Sequence, residues 1–281
     1  MAETINLHEK YSKKVAERFY EESLTQSSFS KDMDVEFTGV KTVKVTEVMT
    51  APMNNYNRTK GSNRYGDPAE LEDTIHEYKM EQDRSFTATI DKGNNMEQQM
   101  VKAAGKAVSR QLREVVTPEI DKYRFSKWAS GAGLKVTLDA APTEDTIYNL
   151  LLTAKVAMDN KHVPKKGRTL YLGSEAYIAL MNNGKYIGLD KLGSKAIVTG
   201  KIGEIFDMDI KNVPDDYLPE GIYFMIVYKN AAISPVKLHE CKVHKDPPGI
   251  SGHLLEGRFI YDAFVKANMK NGIYVASAAA T

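Results

Sequence analysis

Cysteine is almost absent: Cys241 stands alone, so no intramolecular disulfide can form, which fits a reducing compartment or indifference to redox state. Neither sign of charge dominates. Lys and Arg number 38 against 37 Asp and Glu, and a net charge of +1 gives no global argument for a nucleic-acid or membrane partner. No window approaches ~18 consecutive apolar residues, so no segment reads as a membrane span. Residues 1–14 are polar and mixed in charge, without the apolar core of a signal peptide. No repeat of roughly 20–50 residues stands out. What remains is ordinary globular composition, 42% apolar and 27% charged over 281 residues, enough to bury one large core or two smaller ones.

The most informative stretch lies between the patterned residues ending at Val48 and those resuming near His76. About 25 residues here are polar and rich in Asn, Gly and Pro, and unstructured connections longer than ~12–15 residues are uncommon inside compact domains. Before it, Val43 and Val45 alternate with Lys44 and Thr46. After it, His76, Tyr78, Met80, Phe86, Ala88 and Ile90 hold the even positions, while the odd ones from Glu77 to Asp91 are polar. A period of two predicts one long, half-buried strand there. Two strands joined by a long polar loop make an arm, and an arm of that length is expected to touch something outside its own domain. Its loop is basic at Arg58, Lys60 and Arg64 and acidic at Asp67, Glu70 and Asp73, with Tyr56 and Tyr65 among them. A basic half followed by an acidic half suits a copy of itself or a neighbour better than a phosphate backbone.

Upstream, Leu7, Tyr11, Val15 and Phe19 predict an amphipathic helix over 7–24, and residues 25–30 read as a linker that tethers it loosely. Downstream, Asn94 and Glu97 form a variant capping box. Val101, Ala104, Val108, Leu112 and Val115 then mark one face of a long helix. Residues 95–117 alone would reach roughly 35 Å. Pro118 should kink or end that helix, and a second segment over 119–129 carries Ile120, Tyr123 and Trp128. Beyond Ser130-Gly131-Ala132-Gly133 the pattern becomes compact α/β. A helix holds Ile147, Leu151, Ala154 and Met158, a strand covers 169–172, and a helix capped by Ser174 holds Ile178 and Leu180. Residues 182–200 form a Gly- and Lys-rich loop. The apolar run 222–228 marks a strand buried on both faces, and strand-like segments over 232–243, 258–266 and 273–276 close the chain.

Catalytic templates fit poorly. Gly249-Ile250-Ser251-Gly252-His253 ends in His where a nucleophile elbow needs Gly, and it lies in a Pro-Pro loop between strands. Gly188 to Gly193 has P-loop spacing, but Ser194-Lys195 follows in reverse order. His239, Cys241 and His244 are the best metal candidates, yet strand alternation sets His244 on the face opposite the other two. Asp207, Asp209, Asp215 and Asp216 read as solvated edges and turns.

Several segments, in order, resemble the major capsid proteins of tailed bacteriophages. They are Asp83-Arg84-Ser85-Phe86 with Ile90-Asp91, and Val116-Thr117-Pro118-Glu119-Ile120-Asp121-Lys122-Tyr123-Arg124. Further along come Ile233-Ser234-Pro235-Val236-Lys237, Glu256-Gly257-Arg258-Phe259-Ile260-Tyr261-Asp262-Ala263-Phe264-Val265 and Asn271-Gly272-Ile273-Tyr274-Val275. The resemblance implies an α+β Johnson fold, shared with encapsulin shells. Its parts would be an N-terminal arm (1–34), an extended hairpin with flanking strands (35–91) and a peripheral-domain spine helix (92–133). An axial domain (134–229), peripheral long strands (230–268) and a last axial strand (269–281) would follow. It implies a structural coat protein, with no catalytic residue, cofactor or metal, assembling as pentamers and hexamers into an icosahedral shell around double-stranded DNA. Tyr56, Arg58, Lys60, Arg64, Tyr65, Asp67, Glu70 and Asp73 become inter-subunit contacts. Asn183, Lys185, Lys191 and Lys195 become candidates for a loop at a symmetry axis. The expected partners are further copies, a separate scaffolding protein because only about 30 residues precede the hairpin, a portal, decoration proteins and DNA bound without sequence specificity. No membrane is involved, and the expected location is the virion capsid, assembled in the host cytoplasm. An encapsulin-type compartment is the alternative, and a metal-dependent enzyme using His239, Cys241 and His244 the more remote one.

Overall fold

The computed structural model describes residues 23–29, 36–38, 42–48, 50–51, 53–67, 70, 73–91, 103–184 and 204–279. The chain divides into two compact units, one formed by residues 32–81 and the other by 1–31 together with 82–281. In the smaller unit, β1 (Glu36–Thr38), β2 (Thr42–Val48) and β3 (Asp73–Lys79) form one antiparallel sheet in that order. Val43 and Val45 are buried, as their alternation with polar neighbours requires. Val48 lies opposite Asp73, so residues 49–72 close a hairpin.

The larger unit starts with β4 (Gln82–Asp91). A continuous helix follows as α1 (Ala103–Gln111), a π-helical turn (Leu112–Val116) and α2 (Thr117–Gly131). Next come β5 (Leu134–Leu138), α3 (Ile147–Asn160), β6 (Arg168–Leu172), α4 (Ser174–Asn182), β7 (Glu204–Ile205), β8 (Met208–Asn212) and β9 (Ile222–Tyr228). The chain returns through β10 (Ala232–Ile233), β11 (Val236–Lys245), β12 (Gly252–Tyr261) and β13 (Phe264–Val265). A 3-10 turn (Ala267–Gly272) leads into β14 (Ile273–Ala278).

Two sheets and one helix organise this unit. A six-stranded sheet runs β5-β14-β9-β6-β8-β7, with β9 antiparallel to both neighbours, β5 parallel to β14, and β8 parallel to β6 but antiparallel to β7. Successive side chains on a strand face opposite ways. Leu170, Leu172, Phe224, Ile226 and Ala276 therefore pack with Ile147, Leu151, Ala154 and Met158 of α3. Tyr171, Met225, Val227, Ile273 and Val275 face the other side, where Phe125 and Trp128 of α2 lie. An antiparallel sheet β11-β12-β4 presents Leu255, Phe259 and Tyr261 to Val108, Leu112, Val116 and Ile120. One helix thus serves two cores, at roughly 1.5–3 kcal/mol for each large apolar side chain fully buried.

Several elements follow the pattern read from sequence. All four apolar residues expected on α3 are buried, β6 is buried throughout, and β9 sits in mid-sheet. Others differ. The single strand expected over 76–90 is two, because β3 ends at Lys79 and β4 begins at Gln82, and they join different sheets. The reason is visible at Gln82 and Arg84, where the apolar alternation lapses between Met80 and Phe86. Pro118 does not end the helix. The turn before it widens, with the Thr117 N–H bonded to the Leu112 carbonyl, five residues back, and the ring is admitted near the start of α2. That wider turn moves the apolar face from Val115, which is exposed, to Val116, which is buried.

α4 is not capped by Ser174 itself. Gly173 holds the N-cap position, and the Asp215 carboxylate accepts the Ser174 N–H at 2.7 Å. Of the two apolar residues read on that helix, Leu180 is buried and Ile178 is exposed. The stretch read as a loose linker is packed: Thr25, Ser28 and Phe29 are buried, because α2 and β6 carry polar groups that its hydroxyls satisfy. The helix expected over 7–24, apart from its last two residues, and the cap at Asn94 and Glu97 lie outside the described residues.

Candidate functional site

The loop of the β2–β3 hairpin is organised by its own side chains. Asn57 starts it: its Oδ1 accepts the backbone N–H of Thr59 at 3.0 Å and of Lys60 at 3.3 Å, and the Thr59 hydroxyl at 2.7 Å. This is an Asx turn, the local geometry asparagine favours. The Asn57 N–H then donates to the Arg64 carbonyl at 2.9 Å, closing a small ring of chain. The Arg64 Nε donates to the Lys60 carbonyl at 2.7 Å inside it. The return leg turns at Asn63 (φ 50°) and Gly66 (φ 104°). At Gly66 only glycine fits, since a Cβ would stand 2.4 Å from Asn54 Nδ2 and the φ is left-handed. Asn63 Nδ2 donates to Asp67 Oδ1 at 3.2 Å. Across the ring, Tyr56 and Tyr65 meet edge to face with centroids 4.9 Å apart.

An ordered loop with large side chains turned to solvent is what a docking surface needs, because little further ordering is required on contact. Met53 is 98% exposed and Tyr65 83%. Arg58, Lys60, Arg64, Tyr56, Asp67 and Glu70 are exposed as well. Asp73 opens β3 opposite Val48, and its side chain lies outside the described residues. The structure therefore brings Tyr56 to Tyr65 and Lys60 to Arg64. Sequence reasoning missed Met53 and the scaffolding roles of Asn57, Asn63 and Gly66, although Asn and Gly in a polar loop are the signal for Asx and left-handed turns.

The second set of candidates divides. Asn183, just after α4, is buried, and its side-chain amide donates to the Glu144 carbonyl. Lys185, Lys191 and Lys195 lie outside the described residues.

The metal trio is split by its strand. Cys241 lies on the face of β11 that packs towards the spine helix, and burial, helped by the charge of Glu240, pushes its thiol up to about 11. His239 is held below its ordinary range by burial. His244 points to the other face and meets Glu256 at 3.1 Å. No group of three His, Cys, Asp or Glu is arranged to hold a metal among the described residues. Gly249 and Gly252 belong to the β11–β12 hairpin turn, closed by the Asp246 N–H on the Gly252 carbonyl at 2.7 Å. Asp215 caps α4, and Asp216 pairs with Lys122 at 2.7 Å.

No family model and no curated protein matches this sequence. Solved structures do match its fold. A chain of Mycobacterium phage Che8 is 17% identical over 84% of each chain, with a TM-score of 0.63. The capsid of cyanophage P-SCSP1u is 13% identical over 88% of this chain and 86% of its own, at 0.68. A virus-like particle from Pyrococcus furiosus is 10% identical over 96% and 99%, at 0.58. The likeness is one of fold: over most of its length this chain has the α+β fold of the subunits in those capsid and particle structures.

Proposed function

We propose that this chain is the major capsid protein of a tailed phage, a structural subunit that closes with many copies of itself into an icosahedral shell around double-stranded DNA. The observation that carries the proposal is a fold likeness spanning 88% of this chain and 86% of a phage capsid subunit. In this reading the β11-β12-β4 sheet with α1 and the first turns of α2 forms a peripheral domain, and the six-stranded sheet with α3 and α4 an axial domain. The ordered loop over 53–67 reaches a neighbouring copy, with Tyr56, Tyr65 and Met53 as anchors and the basic and acidic halves pairing across the contact. Each contact is weak, and their number makes the shell. Residues 182–201, with Lys185, Lys191 and Lys195, approach a symmetry axis, and Asn183 fixes the start of that segment. DNA is contained without sequence readout, which a net charge of +1 permits. Assembly in the host cytoplasm on a separate scaffolding protein, with a portal and decoration proteins, completes the proposal.

A second reading is favoured by one observation: the likeness to the Pyrococcus particle covers 96% of this chain. A shell of the encapsulin type would have the same subunit fold and hold protein cargo. Size-exclusion chromatography with electron microscopy of the purified chain is expected to show shells, rings or capsomers. A strictly monomeric protein at high concentration would overturn both readings. Nuclease-protected double-stranded DNA inside native particles selects the phage shell, and protein cargo without DNA selects the compartment.

A further inference from the structure

α2 passes from one core to the other within a single turn and a half: Ile120 packs with β12, and Phe125 with the six-stranded sheet. Two other stretches cross at the same level, β10 to β11 through Ser234 and β12 to β13 through Asp262, and both of these residues are buried. The crossings are bonded together. Arg124 Nε donates to Ser234 Oγ at 2.6 Å, Ser234 Oγ to the Asp262 carbonyl at 3.2 Å, and the Tyr123 hydroxyl to the Asp262 carboxylate at 2.8 Å. This is the joint of the unit.

Its charged pair is Asp121 and Arg124, each side chain 1% exposed and 3.3 Å apart. A buried ion pair is costly unless its remaining hydrogen-bonding capacity is filled. Most of that filling comes from far away in sequence. Asp121 accepts the Ser23 hydroxyl at 2.6 Å, the Leu24 N–H at 2.8 Å and the Thr25 hydroxyl at 2.6 Å, and Arg124 donates to Thr25 at 2.8 Å. The segment is also held from the sheet side. Tyr171 of β6 donates to Ser28 at 2.6 Å, and Lys211 of β8 to the Leu24 carbonyl at 2.6 Å. Phe29 lies under the Arg124 guanidinium, 4.7 Å from it.

We infer that residues 23–29 are a strap that locks this joint, fixing the angle between the two cores of the larger unit and thereby the curvature at which copies meet. The strap bonds to α2, β6 and β8 at once, so its departure would leave only the apolar packing of Phe125 and Trp128 to hold the helix on the sheet at the crossing. It would also strand Asp121 in a buried site with Arg124 as its only partner among those named, which gives the lock its strength. The clause on curvature rests on the proposed shell function; the lock itself does not.

The test uses the full chain carrying Ser23→Ala, Thr25→Val and Ser28→Ala together, with hydrogen exchange read by mass spectrometry and particle diameters by electron microscopy. Amide exchange is expected to rise about tenfold or more in 120–125, 231–236 and 262–266 and to stay unchanged in 147–160. A rise confined to 23–29 itself overturns the lock. Should the triple variant fail to fold, Tyr171→Phe, which removes only the hydroxyl that holds Ser28 and touches the Leu24 carbonyl, is expected to raise exchange in the same three segments by a smaller factor, and no rise overturns the lock. Variant shells are expected to show a broader spread of diameters than the parent, and equally uniform shells with raised exchange overturn the curvature clause. A parent protein that forms no particle overturns the shell function and leaves exchange to decide the strap.

Discussion

Gly257 and Phe86 face each other across β12 and β4, and the pair works because one side chain is missing. A Cβ on Gly257 would stand 2.3 Å from Cε1 of Phe86, whose ring also stacks on Phe259 with centroids 6.1 Å apart. Gly257→Ala is therefore expected to destabilise the protein by about 1–3 kcal/mol through overpacking. Adding Phe86→Leu should recover part of that loss, so the double variant lies above the sum of the singles in calorimetric Tm. On the neighbouring strand, the Cys241 thiol is raised by burial from 9.0 to about 11. A raised value means the folded state favours the protonated form. The stability this contributes is complete below pH 9 and is lost as pH rises from there through about 11. Urea unfolding of the parent and of Cys241→Ala should show their difference in stability shrinking across that interval, and a constant difference would refute the assignment. At this scale the sequence was legible where burial follows apolar spacing and opaque at Asp121 and Arg124. Opposite charges three residues apart on a helix read as a solvated pair, and the groups that make burial tolerable lie some 100 positions away, at Ser23, Leu24, Thr25 and Ser234.

Among the elements, periodicity read best where one packing partner governs the whole segment. α3 lies on a single sheet face, and Ile147, Leu151, Ala154 and Met158 all came out buried. It read worst where an element changes partner. The strand pattern across 76–90 keeps one parity, yet β3 and β4 pair in different sheets, and only the polar pair Gln82 and Arg84 marks the change. The spine helix likewise changes register at its π turn, which local spacing does not encode because the proline that occasions it comes after the turn. The register is testable. Val116→Ala should cost about 2 kcal/mol, the loss of buried methyl groups. Val115→Ala should stay within about 0.5 kcal/mol, as an exposed position does. Chemical denaturation of the two variants decides it, and a larger loss at Val115 would mean that the helix runs through without widening.

For the molecule as a whole, the order of segments carried the fold further than any single motif did. The long polar stretch between two alternating runs gave the hairpin, and the hairpin is there, with Val48 opposite Asp73. What the sequence did not disclose is that the loop is ordered internally, because that order comes from backbone turns at Asn57, Asn63 and Gly66 and not from a hydrophobic pattern. The proposed role of the loop can be separated from stability. Its ring of bonds is closed on itself, from Asn57 to Arg64 and from Tyr56 to Tyr65. Removing residues 54–72 leaves 49–53 to join Val48 to Asp73, a length ordinary for a β-hairpin. Shortening a loop of this size changes closure entropy by only about 1 kcal/mol, and in the favourable direction. The deletion variant is therefore expected to match the parent in thermal unfolding while failing to form closed shells under the electron microscope. Intact shells from a folded deletion variant would assign the contact between copies to another surface. A loss of shells accompanied by a collapse in Tm would place the loop in the fold of its own subunit.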